Sequence, residues 1–175
     1  MREYYFTYDF ATGTEFNKGS GEAGISAIQN LPSGFGIVTV SEAEYSGTLI
    51  DVPLSSLRLA VWNRVKAKRD AAIDGGAMTP IGVVDSDALS RSNISGAALG
   101  ALIAQSASAA FSIDWTARDN TVHTLNASGM LAVGLAVLQH VSTVHDIARD
   151  FRTAIEAAAT VTELLMIDIN AGWPS

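Results

Sequence analysis

The chain has 175 residues, of which 48% are hydrophobic and 17% are charged, and its formal net charge is −7. A chain of this size and composition can bury a core as one domain, or as one domain with a small appendage, and is not expected to be disordered. The absence of cysteine excludes disulfides, thiolate metal sites and a cysteine nucleophile. The acidic balance makes nucleic acid a poor partner, because affinity for nucleic acid depends largely on phosphate neutralisation.

The first 53 residues are predicted to form a small antiparallel β region. The segments "YYFTYDF" and "EFNKGSGEA" flank a turn that contains Gly13, and "FGIVTV" predicts a third strand. A short strand around "TLIDV" is expected to close the sheet. Three or four short strands bury little surface by themselves, so this region is expected to pack against the rest of the chain.

A helical domain is predicted over residues 54–175. Pro53 suits the start of a helix, and apolar residues then recur at helical spacing up to a C-cap at "DGG". A short extended piece, "PIGVV", follows, and Ser86 is expected to cap a second helix that ends near Ala107. The predicted fold class is therefore α+β, mainly α.

A β-hairpin is predicted at residues 111–125, inserted between helices. With a four-residue loop, Asp114 would face His123 across the hairpin, and Trp115 would lie on the opposite, buried face. An Asp–His pair suggests acid–base chemistry, but the sequence places neither a nucleophile nor a pocket beside it. We interpret the two residues as an exposed cross-strand pair. No catalytic residue is predicted, and the chain is not expected to be an enzyme.

The longest predicted helix runs from Ala127 to Ala159, with Asn126 as its N-cap, and would be about 50 Å long at roughly 1.5 Å per residue. Its apolar seam is longer than the shorter helices of the chain can readily cover, and exposed apolar surface usually marks an interface. We therefore predict a homo-oligomer, a dimer or trimer. The residues predicted at its interface are Val144, Ile147, Phe151 and Ile155.

The same helix contains two of the three histidines. His140 and His145 are five residues apart and cannot converge on one ion, so no metal site or cofactor is predicted, and His140 is interpreted as a half-buried, hydrogen-bonded residue. Two stretches, 92–113 and 120–145, lack Asp, Glu, Lys and Arg. Because Ser, Gln, Asn and Thr interrupt them, they predict buried helices and no membrane insertion.

Four segments follow one another over about residues 57–174: "VWNRVKAKRDAAIDGG", "VVDSDALSRSNISGAAL", "FSIDWTARDNTVHTLNASGMLAVG" and "AIEAAATVTELLMIDINAGWP". In this order they resemble an uncharacterised helical domain of bacteriophage and prophage tail-fibre and tail-assembly proteins. The resemblance implies a location in the virion tail, or in the host cytoplasm during assembly, and partners that are other tail or fibre proteins. It implies no catalytic residues.

The leading hypothesis is a non-enzymatic structural or fibre-assembly protein of a phage tail that works through protein–protein contacts, with itself and with other tail proteins. The alternative is a module at the tail tip that binds a glycan or another small ligand, which would need a concave pocket with exposed aromatic residues. An enzyme is the third hypothesis. Whether the protein is a fibre component or an assembly factor stays open at this stage.

Overall fold

The structure is a computed structural model that describes residues 2–174. Helices contain 50% of the residues and strands 21%, which confirms the predicted α+β, mainly α, class. The strands are β1 (Arg2–Asp9), β2 (Glu15–Glu22), β3 (Phe35–Val40), β4 (Ala77–Thr79), β5 (Gly82–Val84), β6 (Ile113–Thr116) and β7 (Val122–Leu125). The α-helices are α1 (Glu42–Tyr45), α2 (Leu54–Asp74), α3 (Ala88–Ser106), α4 (Ala127–Ala157) and α5 (Val161–Leu165).

The chain folds into two compact units. Unit 1 contains residues 2–68 and 147–172, and unit 2 contains residues 69–146 and 173–174. This division differs from the predicted one into residues 1–53 and 54–175. The reason is that α2 and α4 are long helices, and each contributes one part of its length to unit 1 and the other part to unit 2.

Unit 1 contains the predicted N-terminal sheet. Its three antiparallel strands have the order β2-β1-β3, which confirms the first hairpin and the third strand. Gly13 has a positive φ of 65°, and its N–H donates to the carbonyl of Asp9 at 2.8 Å, so a residue without a Cβ suits this turn. The central strand β1 points Phe6 and Tyr8 into the core, where both side chains are buried.

The predicted fourth strand around "TLIDV" is wrong. Leu49–Asp51 form a 3-10 turn, in which the Thr48 hydroxyl donates to the Asp51 carboxylate at 2.6 Å. The backbone N–H of Leu49 donates to the Glu15 carboxylate at 2.9 Å. The carboxylate of Glu15, 34 residues away, thus takes the place of a strand partner for the N–H of Leu49.

The helices of unit 1 begin and end as local signals indicate. Residue Pro53 immediately precedes α2, and Thr160 caps α5 by accepting a hydrogen bond from the N–H of Glu163 at 3.2 Å. The Arg58 guanidinium of α2 donates to the carbonyl of Ala158 at 2.6 Å. The buried apolar residues of these helices and the segment after them are Leu57, Val61, Val65, Ala148, Ile155, Ala158, Val161, Leu164, Leu165 and Ile169.

Unit 2 contains the end of α2, two short hairpins, β4–β5 and β6–β7, the whole of α3 and most of α4. The Asn126 side chain accepts from the N–H of Gly129 at 2.9 Å, which confirms it as the cap of α4, although the helix ends at Ala157 and not at Ala159. The buried core cluster of unit 2 consists of Ala77, Val84, Ile94, Ala101, Leu125, Met130, Val133 and Val137.

The predicted cap of α3 is off by one residue. Asp87 caps the helix, because its carboxylate accepts from the N–H groups of Leu89 and Ser90, at 2.9 and 3.2 Å. Ser86 is instead fully buried: its hydroxyl donates to the carbonyl of Ile73 at 2.6 Å and accepts from the N–H of Gly76 at 2.9 Å. The Ser86 hydroxyl therefore caps the C-terminal end of α2. The sequence did not indicate this role, because it depends on how the two segments pack in the folded unit.

Candidate functional site

The β6–β7 hairpin does not bring Asp114 and His123 together. Asp114 lies opposite Thr124, whose hydroxyl donates to its carboxylate at 2.6 Å, and Trp115 lies opposite His123. The predicted register was wrong by one residue, because the turn is longer than expected. The N–H of Ala117 donates to the carbonyl of Thr121 at 2.9 Å.

The extra turn residue is accommodated by Asn120, which has a positive φ of 67°. A left-handed residue at the end of such a turn is typical of hairpins with a bulge, and asparagine tolerates it well. The hydroxyl of Thr121 then donates to Asp119 at 2.6 Å and lies 3.0 Å from the Nε2 atom of His123. The Thr121 hydroxyl and N–H hold the pKa of Asp119 below its usual value. These polar groups stabilise a turn, and the geometry does not favour an acid–base pair at Asp114 and His123.

The buried face of the hairpin is as predicted. Ile113 and Trp115 are half-buried and pack against the core cluster of unit 2, and Leu125 belongs to that cluster. Since Trp115 keeps part of its surface in solvent, its removal is expected to cost less than that of a fully buried aromatic side chain.

Arg118, at the tip of the same turn, joins the two hairpins of unit 2. Its backbone N–H donates to the carbonyl of Val83 at 2.9 Å, and its Nε atom lies 2.8 Å from the Asp85 carboxylate. The guanidinium also donates to the carbonyl of Gly75. Nothing in the spacing of the sequence indicated this role, because the partners lie 33 to 43 residues away.

The histidines of α4 are placed as expected. His140 is half-buried, and its Nε2 atom lies 3.0 Å from the carbonyl oxygen of Ala72, whereas His145 is exposed. Among the described residues, no group of three or more His, Cys, Asp or Glu side chains could hold a metal ion.

The four residues predicted at an interface lie on the apolar seam of α4. Val144 and Ile155 are buried within the single chain, and Ile147 and Phe151 are half-buried. The seam is therefore covered to a large extent by residues of the same chain. Little of the surface of these four residues is accessible to a partner. The exposed apolar surface of the chain lies elsewhere.

Besides Leu89 in the first turn of α3, five large apolar side chains on α3 and α4 of unit 2 are each between 51% and 65% exposed to solvent. We call this set the apolar face. Its members are Leu99, Leu102 and Ile103 of α3 and Leu135 and Leu138 of α4. Contiguous exposed apolar surface is uncommon on a monomeric protein and typically marks a contact site.

The five side chains share one face of the helix pair. The two helices meet at Ala98 and Gly134, where a Cβ added to Gly134 would lie 3.0 Å from the Cβ of Ala98. At about 100° per residue, the core residues of each helix lie to one side of this contact and the apolar-face residues to the other. Because both helices send their core residues into one cluster, the apolar-face residues of both helices lie on the opposite side.

No charged residue interrupts this face. Asp, Glu, Lys and Arg are absent from residues 92–113 and from residues 120–145, although the whole chain has a net charge of −7. By length and composition alone, α4 is the one helix within residues 2–174 that could cross a membrane. Its other face, with Met130, Val133 and Val137, packs in the protein core of unit 2.

Comparison with known protein families identifies the family of this chain. The family model described as a domain of unknown function, DUF4376, matches residues 56–171, nearly the same part of the chain that the resemblance covered. No curated protein and no solved structure matches the chain. The matched segment includes residues 69–146 of unit 2 and, in unit 1, the end of α4, α5 and nearly all of the part of α2 that belongs to that unit. Since the match covers well over half of the sequence, this chain belongs to the DUF4376 family.

Proposed function

We propose that this protein is a non-enzymatic structural or assembly protein of a phage or prophage tail that works through protein–protein contacts. The observation that supports contact as its mode of action is the apolar face of α3 and α4. The tail context rests on the resemblance of the four segments, which implies a location in the virion tail or in the host cytoplasm during assembly.

The occupant of the apolar face that we propose is a second copy of the chain. In a symmetric dimer the same patch meets itself, so any charge on the patch would face a like charge. A net charge of −7 makes two copies of the chain repel each other, whereas this face contains no charged residue. We therefore keep the self-association predicted from the sequence as a proposal, but we assign its interface to the apolar face of α3 and α4 and no longer to Phe151 and its neighbours.

Light scattering on the purified chain tests this contact. At tens of micromolar, we expect a mass that is a multiple of 18.3 kDa. Leu138→Glu should reduce the measured mass to that of a single chain, because a dimer interface would have to bury the unpaired charge of the glutamate. Since Leu138 is mostly exposed within the chain, this substitution should leave the fold intact. Thr143→Glu, at an exposed position of α4 outside the apolar face, adds the same charge and should leave the oligomer unchanged.

Two outcomes would contradict the proposed contact. A wild-type mass of 18.3 kDa would show that the face does not join copies, and an unchanged oligomer in Leu138→Glu would place the interface elsewhere. Sedimentation of the wild-type chain with neutral lipid vesicles, lost in Leu138→Glu, would identify a lipid surface as the occupant instead.

The tail context is tested separately from the contact. We expect tail-fibre genes beside the gene for this chain, and we expect mass spectrometry of purified virions to distinguish the two roles. A fibre component should be present in tail fractions, and an assembly factor should be absent from virions but required for infectious particles. A gene far from any tail gene, whose deletion leaves particle yield unchanged, would refute the tail assignment.

A further inference from the structure

Unit 1 contains a cavity of about 340 Å³ that no part of the proposed function uses. It lies among the loop between β2 and β3, the start of β3, one turn of α2 and the segment after α5. Its volume is at the lower end of the range for small-molecule sites, about 300–1,000 Å³. The cavity therefore has room for a small molecule with several non-hydrogen atoms.

The cation on the wall of this cavity is Arg64 of α2, whose side chain is half-buried. Within residues 2–174, no hydrogen bond or ion pair joins its guanidinium to another residue. Burial lowers the pKa of Arg64, because partial removal from water disfavours the charged guanidinium. A half-buried guanidinium without an ion-pair partner leaves five N–H donors available for an acidic group.

The acidic groups that influence this cation have other hydrogen bonds. Glu3 accepts from the N–H of Gly24 and from both the N–H and the hydroxyl of Ser26, all at 3.0 Å. Its carboxylate thereby orders the turn before the cavity. It is not available as a close partner for Arg64.

Lys68 is a second cation near Arg64 and adds to the positive electrostatic potential there. Burial and the charge of Arg64 lower the pKa of Lys68, which lies one turn further along α2. Tyr8 is fully buried, and burial raises the pKa of its phenol, so it stays neutral and does not pair with either cation as a phenolate. Asp168, which attracts Lys68, accepts from the N–H of Asn170 at 2.9 Å.

The remaining wall is partly polar and partly apolar. Asn30 and Ser33 offer hydrogen-bonding side chains at the mouth, and Ile37 forms buried apolar surface. Half-buried Phe35 also lines the cavity; its ring lies 4.7 Å from that of Phe16, centroid to centroid. The combination of one unpaired cation, several amide or hydroxyl groups and an aromatic edge suits a polar molecule with one acidic group.

We propose that this cavity binds a small polar molecule that has a single carboxylate or phosphate group, with Arg64 contacting the acidic group. The proposal goes beyond the contact function of the apolar face, which lies entirely in unit 2. Arginine presents its donors in a planar fork that matches both carboxylate and phosphate, so the shared chemistry is a compact oxyanion.

Nuclear magnetic resonance on the full-length ¹⁵N-labelled chain tests the site, with inorganic phosphate and acetate as separate probes at constant ionic strength. We expect saturable shifts of the backbone amides of Ser33, Gly36 and Asn170 and of the Arg64 Nε–H. For probes of so few atoms, a dissociation constant of about 1–30 mM is expected. The probe with the lower constant identifies the preferred acidic group.

Arg64→Gln should abolish the saturable shifts, whereas Lys66→Gln, which removes one charge from the same helix outside the cavity, should preserve them. Arg64→Lys keeps the charge without the fork and should weaken binding by about 3–10-fold, which provides a readout if Arg64→Gln does not fold. The proposal is overturned if neither probe produces saturable shifts in the wild type, or if the folded Arg64 variants bind as well as the wild type does.

Discussion

The two compact units bury different kinds of side chain. Unit 1 encloses large aromatic residues of a three-stranded sheet, Phe6 and Tyr8, and brings two cations, Arg64 and Lys68, partly out of water. Unit 2 fills its core mainly with Ala, Val, Leu, Ile and Met, and the five residues of its apolar face lie exposed together on one side of a helix pair. Unit 1 thus has features of a ligand site, and unit 2 has features of a contact surface.

The difference follows from the strands that each unit contains. In unit 1, strands of six to eight residues form a sheet wide enough to cover aromatic side chains. In unit 2, the hairpins have strands of only three or four residues, and the core that includes them lies on one side of α3 and α4. On the other side of that helix pair, nothing else in the described part of unit 2 covers the leucines, which are therefore exposed.

The largest expected effect is in the aromatic core of unit 1. Phe6→Ala should lower the free energy of unfolding by about 3–5 kcal/mol, because it removes a fully buried ring and leaves a cavity. Urea unfolding gives the magnitude, and hydrogen exchange should be accelerated first in residues 2–68. A loss below about 1 kcal/mol would show that the sheet is not essential to the core of unit 1.

In unit 2, the junction between the hairpins can be tested with a pair of glycines. Both Gly76 and Gly82 have a positive φ, 107° and 99°, but only at Gly76 would a Cβ collide with another group, the Arg118 guanidinium. Gly76→Ala should cost about 3 kcal/mol and Gly82→Ala about 1 kcal/mol, since the first adds a clash to the backbone strain. Equal thermal shifts for the two variants would show that the position of Arg118 is unimportant.

Trp115→Ala tests how much the partly exposed hairpin contributes to unit 2. We expect a loss of about 2 kcal/mol, below the range of about 3–5 kcal/mol for a fully buried aromatic residue, because the ring is only half-buried. Phe6→Ala is the matched comparison in unit 1. A loss for Trp115→Ala as large as that for Phe6→Ala would mean that the hairpin is as central to its unit as the sheet is.

The smallest effect is expected for two polar residues of the same hairpin, exposed Asp114 and half-buried His123. The double variant Asp114→Asn, His123→Asn should change the free energy of unfolding by less than about 1 kcal/mol, as substitutions near the surface usually do. Thermal unfolding measures the change. Loss of folding, or loss of a hydrolytic activity detectable in the wild type, would restore the acid–base interpretation of these two residues.

The sequence by itself determined the features that depend on neighbouring residues. The turn at Gly13, the cap at Asn126, the start of α2 after Pro53 and the helical seam of α4 all involve residues a few positions apart. The fold class followed from these local patterns. Where a local prediction missed, as at Ser86 and around Leu49, a hydrogen bond from a distant part of the chain had replaced the expected one.

Only the tertiary structure decided which residues lie together across long separations. The register of β6 and β7 depends on one left-handed residue, Asn120, and a shift of one position moved His123 to the other face. Similarly, the periodicity of α4 shows an apolar seam but not what covers it. In the structure, the seam is largely covered within the chain, Leu138 is exposed, and Arg64 lines a cavity. The burial of a side chain depends on packing between distant segments, and the periodicity of one helix does not contain that information.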